Sequence, residues 1–209
     1  MKYSRFNPVV AAAISFSAQL AVAHVPYLET GDFGLSNPFV TTDASQSIAV
    51  YSWLESAEDV DFYFVSVTEP TEFFVELLVP VCPEYDSFFP QFALLGPSLP
   101  ARSIPLGLGE YRLVVAPWTD RDEPRDTFFE PFGGKWYYEG PGYNQFVTQP
   151  GLYILMVWDP EGESGDYVLG LGTEERFPLP DLIRSRINTP IIRRNGELHS
   201  PCGADRRAW

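Results

Sequence analysis

Residues 60–67, VDFYFVSV, alternate between two faces and predict a β-strand. Asp61, Tyr63, Val65 and Val67 share one face, and Val60, Phe62, Phe64 and Ser66 share the other. Six further segments are rich in β-branched and aromatic residues and are bounded by turn residues: 46–54, 71–79, 91–95, 111–116, 151–158 and 166–171. Seven short strands predict an all-β fold, a single jelly-roll-like β-sandwich with an irregular C-terminal tail.

The composition agrees with one globular domain. The chain has 209 residues, of which 45% are hydrophobic and 15% aromatic, so it can bury a core. Its 20 prolines and 16 glycines disfavour long helices. Two cysteines and two histidines exclude a zinc cluster built from these residues. We expect a lead-in at 24–45, the sandwich at 46–175 and a basic tail at 176–209.

The first 23 residues resemble a secretory signal peptide. Lys2 and Arg5 form a basic start, residues 9–22 are largely apolar, and residues 21–23 (AVA) match a small-x-small cleavage site. The alternative is a buried N-terminal helix. The signal predicts a secreted or extracytoplasmic protein that begins at His24. No other stretch approaches the ~20 apolar residues of a membrane span.

Charge is distributed unevenly along the chain. The formal net charge of -14 argues against nucleic acid or an anionic membrane as the main partner. Residues 24–175 hold 25 acidic and 5 basic residues, whereas residues 176–209 hold 3 acidic and 7 basic ones. We expect the basic tail to lie on the acidic body, with recruitment of an anionic partner as the alternative.

The sequence predicts two structural features of the tail, a disulfide to the body and a short helix. Cys82 and Cys202 are the only cysteines, and in an oxidising compartment they are expected to form a disulfide, whereas two unpaired thiols are the alternative. A short helix near residues 181–187 is the only regular structure that we expect there, because Pro178 and Pro190 limit it.

Two segments resemble the bacterial pre-peptidase C-terminal (PPC-type) domain. Residues 56–67, SAEDVDFYFVSV, are similar to its "DvDfY.F.v" strand. Residues 150–157, PGLYILMV, with residues 164–169, SGDYVL, are similar to its closing hairpin. The resemblance covers roughly residues 46–173 and implies a jelly-roll-like, usually non-catalytic module that is also found as the collagen-binding domain of secreted proteases.

An acidic turn precedes the first of these strands. Glu58, Asp59 and Asp61 supply hard oxygen atoms of the kind that Ca²⁺ prefers. The resemblance supports a calcium site, because collagen-binding relatives bind calcium with acidic residues near this region. A solvated acidic turn is the alternative, since the spacing is not that of an EF-hand. No cofactor other than Ca²⁺ is expected.

An aromatic segment lies between the two motifs. It contains seven rings among Gly133, Gly134, Gly140 and Gly142, and these are Phe128, Phe129, Phe132, Trp136, Tyr137, Tyr138 and Tyr143. We expect a glycine-rich loop that presents ring faces to a protein, a glycan or an apolar small molecule. The alternative is that the rings fold back and close one end of the sandwich.

No nucleophile elbow, P-loop or dinucleotide fingerprint is present in the sequence. The leading hypothesis is therefore a secreted, non-catalytic binding module that uses the aromatic segment. One alternative is an accessory small-molecule enzyme of the cyclase or isomerase type, with Glu130 or Glu139 as the weak candidates for acid–base work. The other is a structural surface protein without a ligand.

Overall fold

Twelve strands pair into two six-stranded sheets in the computed structural model, which describes residues 24–100, 102–105, 110–118, 124–200 and 202. The strands are β1 Val25–Leu28, β2 Phe39–Thr41, β3 Ile48–Leu54, β4 Asp61–Val67, β5 Thr71–Pro80, β6 Gln91–Gly96, β7 Arg102–Pro105, β8 Glu110–Ala116, β9 Thr127–Glu130, β10 Lys135–Val147, β11 Gly151–Trp158 and β12 Gly165–Leu171. Sheet I has the order β1-β3-β12-β5-β10-β9, and sheet II has the order β2-β4-β11-β6-β8-β7. The predicted all-β sandwich is confirmed.

All seven predicted strands are present, as β3, β4, β5, β6, β8, β11 and β12. The lead-in adds β1 and β2, which pair in parallel with β3 and β4 respectively. These two strands are 4 and 3 residues long, too short to show a period of two in the sequence. Each sheet therefore gains an edge strand from the residues that precede the recognisable sandwich.

The inner faces of the two sheets form the core. On β5, Phe73, Val75, Leu77 and Val79 are at most 1% exposed, and they alternate with residues that point outward. On the opposing sheet, Tyr153, Leu155 and Val157 of β11 are fully buried. Each such side chain contributes about 1.5–3 kcal/mol by leaving water. The face of β4 that points inward is the one that begins with Asp61, so the interior also contains a carboxylate.

The aromatic segment is a hairpin and not the glycine-rich loop expected from the sequence. Phe128 pairs with Tyr137 and Phe129 with Trp136 across β9 and β10. The register of β10 against β5 shifts between Glu139 and Gly142. Pro141 lies in that bulge, where no regular hydrogen bond to β5 requires its missing N–H. The strand therefore continues through a proline, although a proline in the sequence usually indicates the end of a strand.

The tail contains one α-helix, α1 Leu179–Ile192, which is longer than the short helix expected near residues 181–187. Pro180 lies in its first turn, where a backbone N–H has no partner within the helix. The helix lies against β1: Asn188 Nδ2 donates to Pro26 O at 2.9 Å, and the Tyr27 hydroxyl donates to Asp181 at 3.3 Å. It is the only α-helix among the described residues, which also include a 3₁₀ helix at Pro83–Tyr85, and no described helix is long and apolar enough to cross a membrane.

The tail is also joined to the body beyond the helix. Cys82 and Cys202 form a disulfide with a Cα–Cα distance of 5.5 Å, as predicted. Lys135 forms an almost fully buried ion pair with Glu197. The described part of the tail, residues 176–200 and 202, therefore lies on the body. The proposed signal peptide, residues 1–23, lies outside the described residues.

Candidate functional site

A groove crosses the outer face of sheet I, the face that points away from sheet II. This feature, called the sheet groove below, encloses about 620 Å³. Tyr51 on β3, Leu78 on β5 and Tyr137 on β10 line it together with Phe128, Phe129 and Phe132 of the β9–β10 hairpin. A volume of several hundred Å³ with aromatic lining is typical of small-molecule sites.

Strand register brings these distant residues together. Tyr51 is paired with Val168, and Val168 is paired with Leu78, so three neighbouring strands place them in one row. Residues two apart along a strand share a face, which adds Glu76 beside Leu78 and Gly170 beside Val168.

A second hollow of about 480 Å³ continues from the sheet groove along the same outer face. Phe74, Glu139 and Tyr143 line it, and it shares Glu76, Leu78 and Phe128 with the sheet groove. Glu76 therefore lies at the boundary between the two spaces.

The structure separates the seven predicted ligand-binding rings into three groups. The sheet groove contains Phe128, Phe129, Phe132 and Tyr137, the second hollow contains Phe128 and Tyr143, and Trp136 and Tyr138 line neither space. The Trp136 ring contacts Phe129 at a centroid distance of 5.5 Å. The Tyr138 ring lies 3.5 Å from the Arg125 guanidinium. Alternation along β10 explains the separation, because neighbouring residues of a strand point to opposite faces.

Most polar groups in the sheet groove already have partners. Burial raises the pKa of Tyr51 well above its ordinary value, and the neighbouring Tyr137 and Glu130 side chains raise it further. The Glu130 carboxylate accepts the backbone N–H groups of Phe132 and Gly133 and so closes the β9–β10 turn. That role occupies one of the two carboxylates predicted for acid–base work.

His24 also lines the sheet groove and has a partner at its edge. Its Nδ1 lies 2.6 Å from Ser47 Oγ. Burial lowers the pKa of His24, which favours the neutral imidazole. The groove therefore gains no positive charge from this ring near neutral pH.

Glu76 differs from these groups. Its carboxylate makes no hydrogen bond or ion pair with another described residue. Burial raises the pKa of Glu76, and the nearby Glu139 carboxylate raises it further. A Cβ atom at Gly170 would lie 2.9 Å from Glu76 Cγ, so the glycine provides the space that the Glu76 side chain occupies. Sequence reasoning missed Glu76, although the alternation in residues 71–79 places it on the same face as Leu78.

A second candidate site is a group of carboxylates at one end of β4, called the acidic cluster below. It consists of Glu29, Asp32 and Asp61, whose ligand atoms all lie within 4.8 Å of one another. Asp61 is fully buried. Its Oδ2 accepts a hydrogen bond from the Tyr167 hydroxyl, whereas its Oδ1 has no partner among the described residues.

A buried chain of hydroxyl groups supports Asp61 from the interior. The Tyr167 hydroxyl lies 2.6 Å from the Tyr63 hydroxyl, which in turn lies 2.8 Å from Ser52 Oγ. This network fixes one oxygen of Asp61 at the position where the Asp61 carboxylate meets Glu29 and Asp32.

The acidic cluster contains only one of the three predicted calcium ligands. Glu58 is exposed, and the Asp59 carboxylate accepts the Glu55 backbone N–H at 2.7 Å. Glu29 and Asp32 come instead from the lead-in, next to β1. Their proximity to Asp61 follows from the parallel pairing of β1 with β3, which no local pattern in the sequence indicates.

Crowding of carboxylates shifts the protonation of the acidic cluster. Burial raises the pKa of Asp61 to about 8, and the charge of Glu29 raises it as well. Burial likewise raises the pKa of Glu29 to about 7, although the N–H groups of Trp53 and Phe33 oppose this shift. Bound protons or a bound cation relieve such repulsion.

Comparison with known proteins adds no assignment. Neither a protein-family model nor a curated protein sequence matches the chain. The geometry of the sheet groove and of the acidic cluster is therefore the basis for assigning a function.

Proposed function

We propose that the protein is a secreted, non-catalytic binding module and that its ligand site is the sheet groove. The observation that carries this proposal is the concave, aromatic-lined space on the outer face of sheet I, with Tyr51, Leu78 and Phe128 at its surface. Exposed apolar patches often mark interaction sites, and small-molecule sites are typically concave and lined by apolar and aromatic side chains. This favours binding over a purely structural role.

The polar contacts favour binding over acid–base catalysis. The Glu130 carboxylate accepts backbone N–H groups of its own turn, and burial raises the pKa of Tyr51 well above its ordinary value. A general acid or base needs both a pKa near the working pH and a proton directed at a substrate atom, and neither group meets both conditions. Among the partners expected from the sequence, an apolar small molecule fits the volume of the groove best.

Binding of a neutral fluorescent naphthalene, N-phenyl-1-naphthylamine, tests this proposal. We expect saturable emission, and we expect Phe128→Ala to weaken binding about tenfold because the ring lines both spaces. Phe146→Ala is the matched control, since Phe146 is an exposed ring on β10 that lines neither space. Equal affinities of the two variants would contradict the proposal.

We propose secretion on two grounds. The signal-like segment precedes His24, and the Cys82–Cys202 pair forms a disulfide, which persists in oxidising compartments. The PPC-type family remains a proposal that rests on the sequence motifs.

We also propose that the acidic cluster binds Ca²⁺ as a structural cofactor. Three carboxylates with close ligand atoms supply the hard ligands that calcium prefers, and Asp61 also carries a buried oxygen without a hydrogen-bond partner among the described residues. Thermal melting with calcium and with chelator tests this. We expect calcium to raise the midpoint of the wild type and of Glu58→Gln but not of Asp61→Asn, because an ion that binds the folded state stabilises it. An unchanged wild-type midpoint at high calcium would refute the site.

A further inference from the structure

The charged side chains that line the sheet groove, among the described residues, are all acidic. Its charged lining residues among the described ones are the carboxylates Glu76 and Glu130, and no described lysine or arginine lines it. We propose that the ligand of the groove has an apolar, preferably aromatic body and a positively charged amine head, and that Glu76 pairs with this head. The inference rests on the proposed function and specifies the chemical class of its ligand.

The walls of the groove suit the apolar body of such a ligand. Tyr51, Leu78 and Tyr137 line the groove with ring and aliphatic surface, and Phe128 lines both the groove and the second hollow. Ring faces also attract ammonium groups, because the quadrupole of an aromatic ring is negative at its face. One surface therefore contacts both parts of the ligand favourably.

Glu76 is the carboxylate available for the amine. Glu130 is engaged by the backbone of its own turn, whereas Glu76 has no partner among the described residues. Glu76 also lines both spaces, so a head group beside it leaves the body of the ligand free to fill either. Burial disfavours the ionised carboxylate unless it is paired, and a ligand cation supplies the pairing charge.

A glycan fits the groove less well. A sugar ring presents several hydroxyls, each of which needs a hydrogen-bond partner when it is buried. Tyr51 and Tyr137 are at most 8% exposed, and His24 Nδ1 is engaged by Ser47. A single available carboxylate matches one charged head and not a ring of hydroxyls.

Three naphthalene compounds of similar size test the inference by titration calorimetry near pH 7.5, where the amine is protonated. They are 2-(1-naphthyl)ethylamine, 2-(1-naphthyl)ethanol and 1-naphthaleneacetate. We expect the amine to bind the wild type about tenfold more tightly than the alcohol, and the carboxylate to bind most weakly. In Glu76→Gln we expect the amine and the alcohol to bind within about twofold of each other.

Glu72→Gln is the matched control, because Glu72 lies on the same strand and lines neither space. It should keep the full preference for the amine. Equal binding of amine and alcohol to the wild type overturns the inference and leaves the proposed function intact. A preference that survives in Glu76→Gln also overturns it. If none of the three compounds binds, or if Phe128→Ala binds all of them as the wild type does, the proposed function fails instead.

Discussion

Asp61→Asn is expected to stabilise the metal-free protein above neutral pH, although it alters a fully buried residue. The Asp61 pKa is about 8 in the folded protein, far above the ordinary value near 3.9 that applies to the unfolded chain. The folded state therefore retains a proton that the unfolded state releases. The stability that this proton contributes is fully present below roughly pH 4 and is lost as the pH rises through about 8.

The size of the effect follows from the separation of the two pKa values. About four units at ~1.36 kcal/mol each set an upper limit of about 6 kcal/mol. Between roughly pH 5 and pH 7.5, Asp61 alone should remove about 3 kcal/mol of stability. Glu29 has a raised pKa of about 7, so it also lowers the stability of the folded protein as the pH rises. An asparagine cannot ionise and still offers an oxygen to the Tyr167 hydroxyl.

Urea unfolding with excess chelator, at several values between roughly pH 5 and pH 8, measures this difference. We expect the stability advantage of Asp61→Asn over the wild type to be larger by about 3 kcal/mol near pH 7.5 than near pH 5. Glu58→Gln, at an exposed carboxylate of the same acidic turn, should follow the wild type. Parallel curves for the wild type and Asp61→Asn would refute the argument, because the carboxylate would then be ionised in both states.

Three variants test which contacts stabilise the tail and the core. Replacing both Cys82 and Cys202 by alanine should lower the free energy of unfolding by about 5 kcal/mol, because the disulfide closes a loop with a sequence separation of 120. Urea unfolding measures this loss, and a loss under ~1 kcal/mol would contradict the expectation. Gly96→Ala places a Cβ atom 2.1 Å from the buried Tyr153 ring, so we expect the free energy of unfolding to fall by about 3 kcal/mol. A melting midpoint equal to that of the wild type would contradict this, because the ring would then have room to move. Ile192→Ala should cost about 3 kcal/mol if α1 is docked, since this side chain is fully buried, and a cost below ~0.5 kcal/mol would mean that the helix is free.

Periodicity in the sequence predicted the strands that form most of the sandwich. Residues 60–67 alternate, which distinguishes a strand from a helix, and residues 71–79 are rich in β-branched and aromatic residues and bounded by Pro70 and Pro80. β10 was missed because Gly140, Pro141 and Gly142 interrupt its pattern, and the bulge that tolerates them depends on pairing with β5. A local pattern does not contain information about a partner strand.

The two sites were less predictable for the same reason. Asp61 was predicted as a calcium ligand from its local acidic turn, but its neighbours Glu29 and Asp32 reach it through long-range contacts, the β1–β3 pairing and the hydrogen bond from Phe62 N–H to Phe33 O. Phe128 and Tyr137 were identified from the aromatic segment, whereas Glu76 belongs to a different strand. Sequence patterns thus indicated one side of each site, and the topology of sheet I supplied the other.

The tail and the sheet groove form one structural unit. Ile192, near the end of α1, packs in a cluster with Tyr51, Leu78 and Tyr137, which are groove-lining residues. The face of α1 toward the body is otherwise mainly polar, and Leu182 and Ile187 on its outer face are exposed. Little apolar burial therefore holds the helix in place, so Ile192, the hydrogen bonds to Tyr27 and Pro26 of β1, the Lys135–Glu197 ion pair and the disulfide together hold the tail. Since Lys135 begins the strand that carries Tyr137, the contacts that fix the tail also fix one wall of the groove.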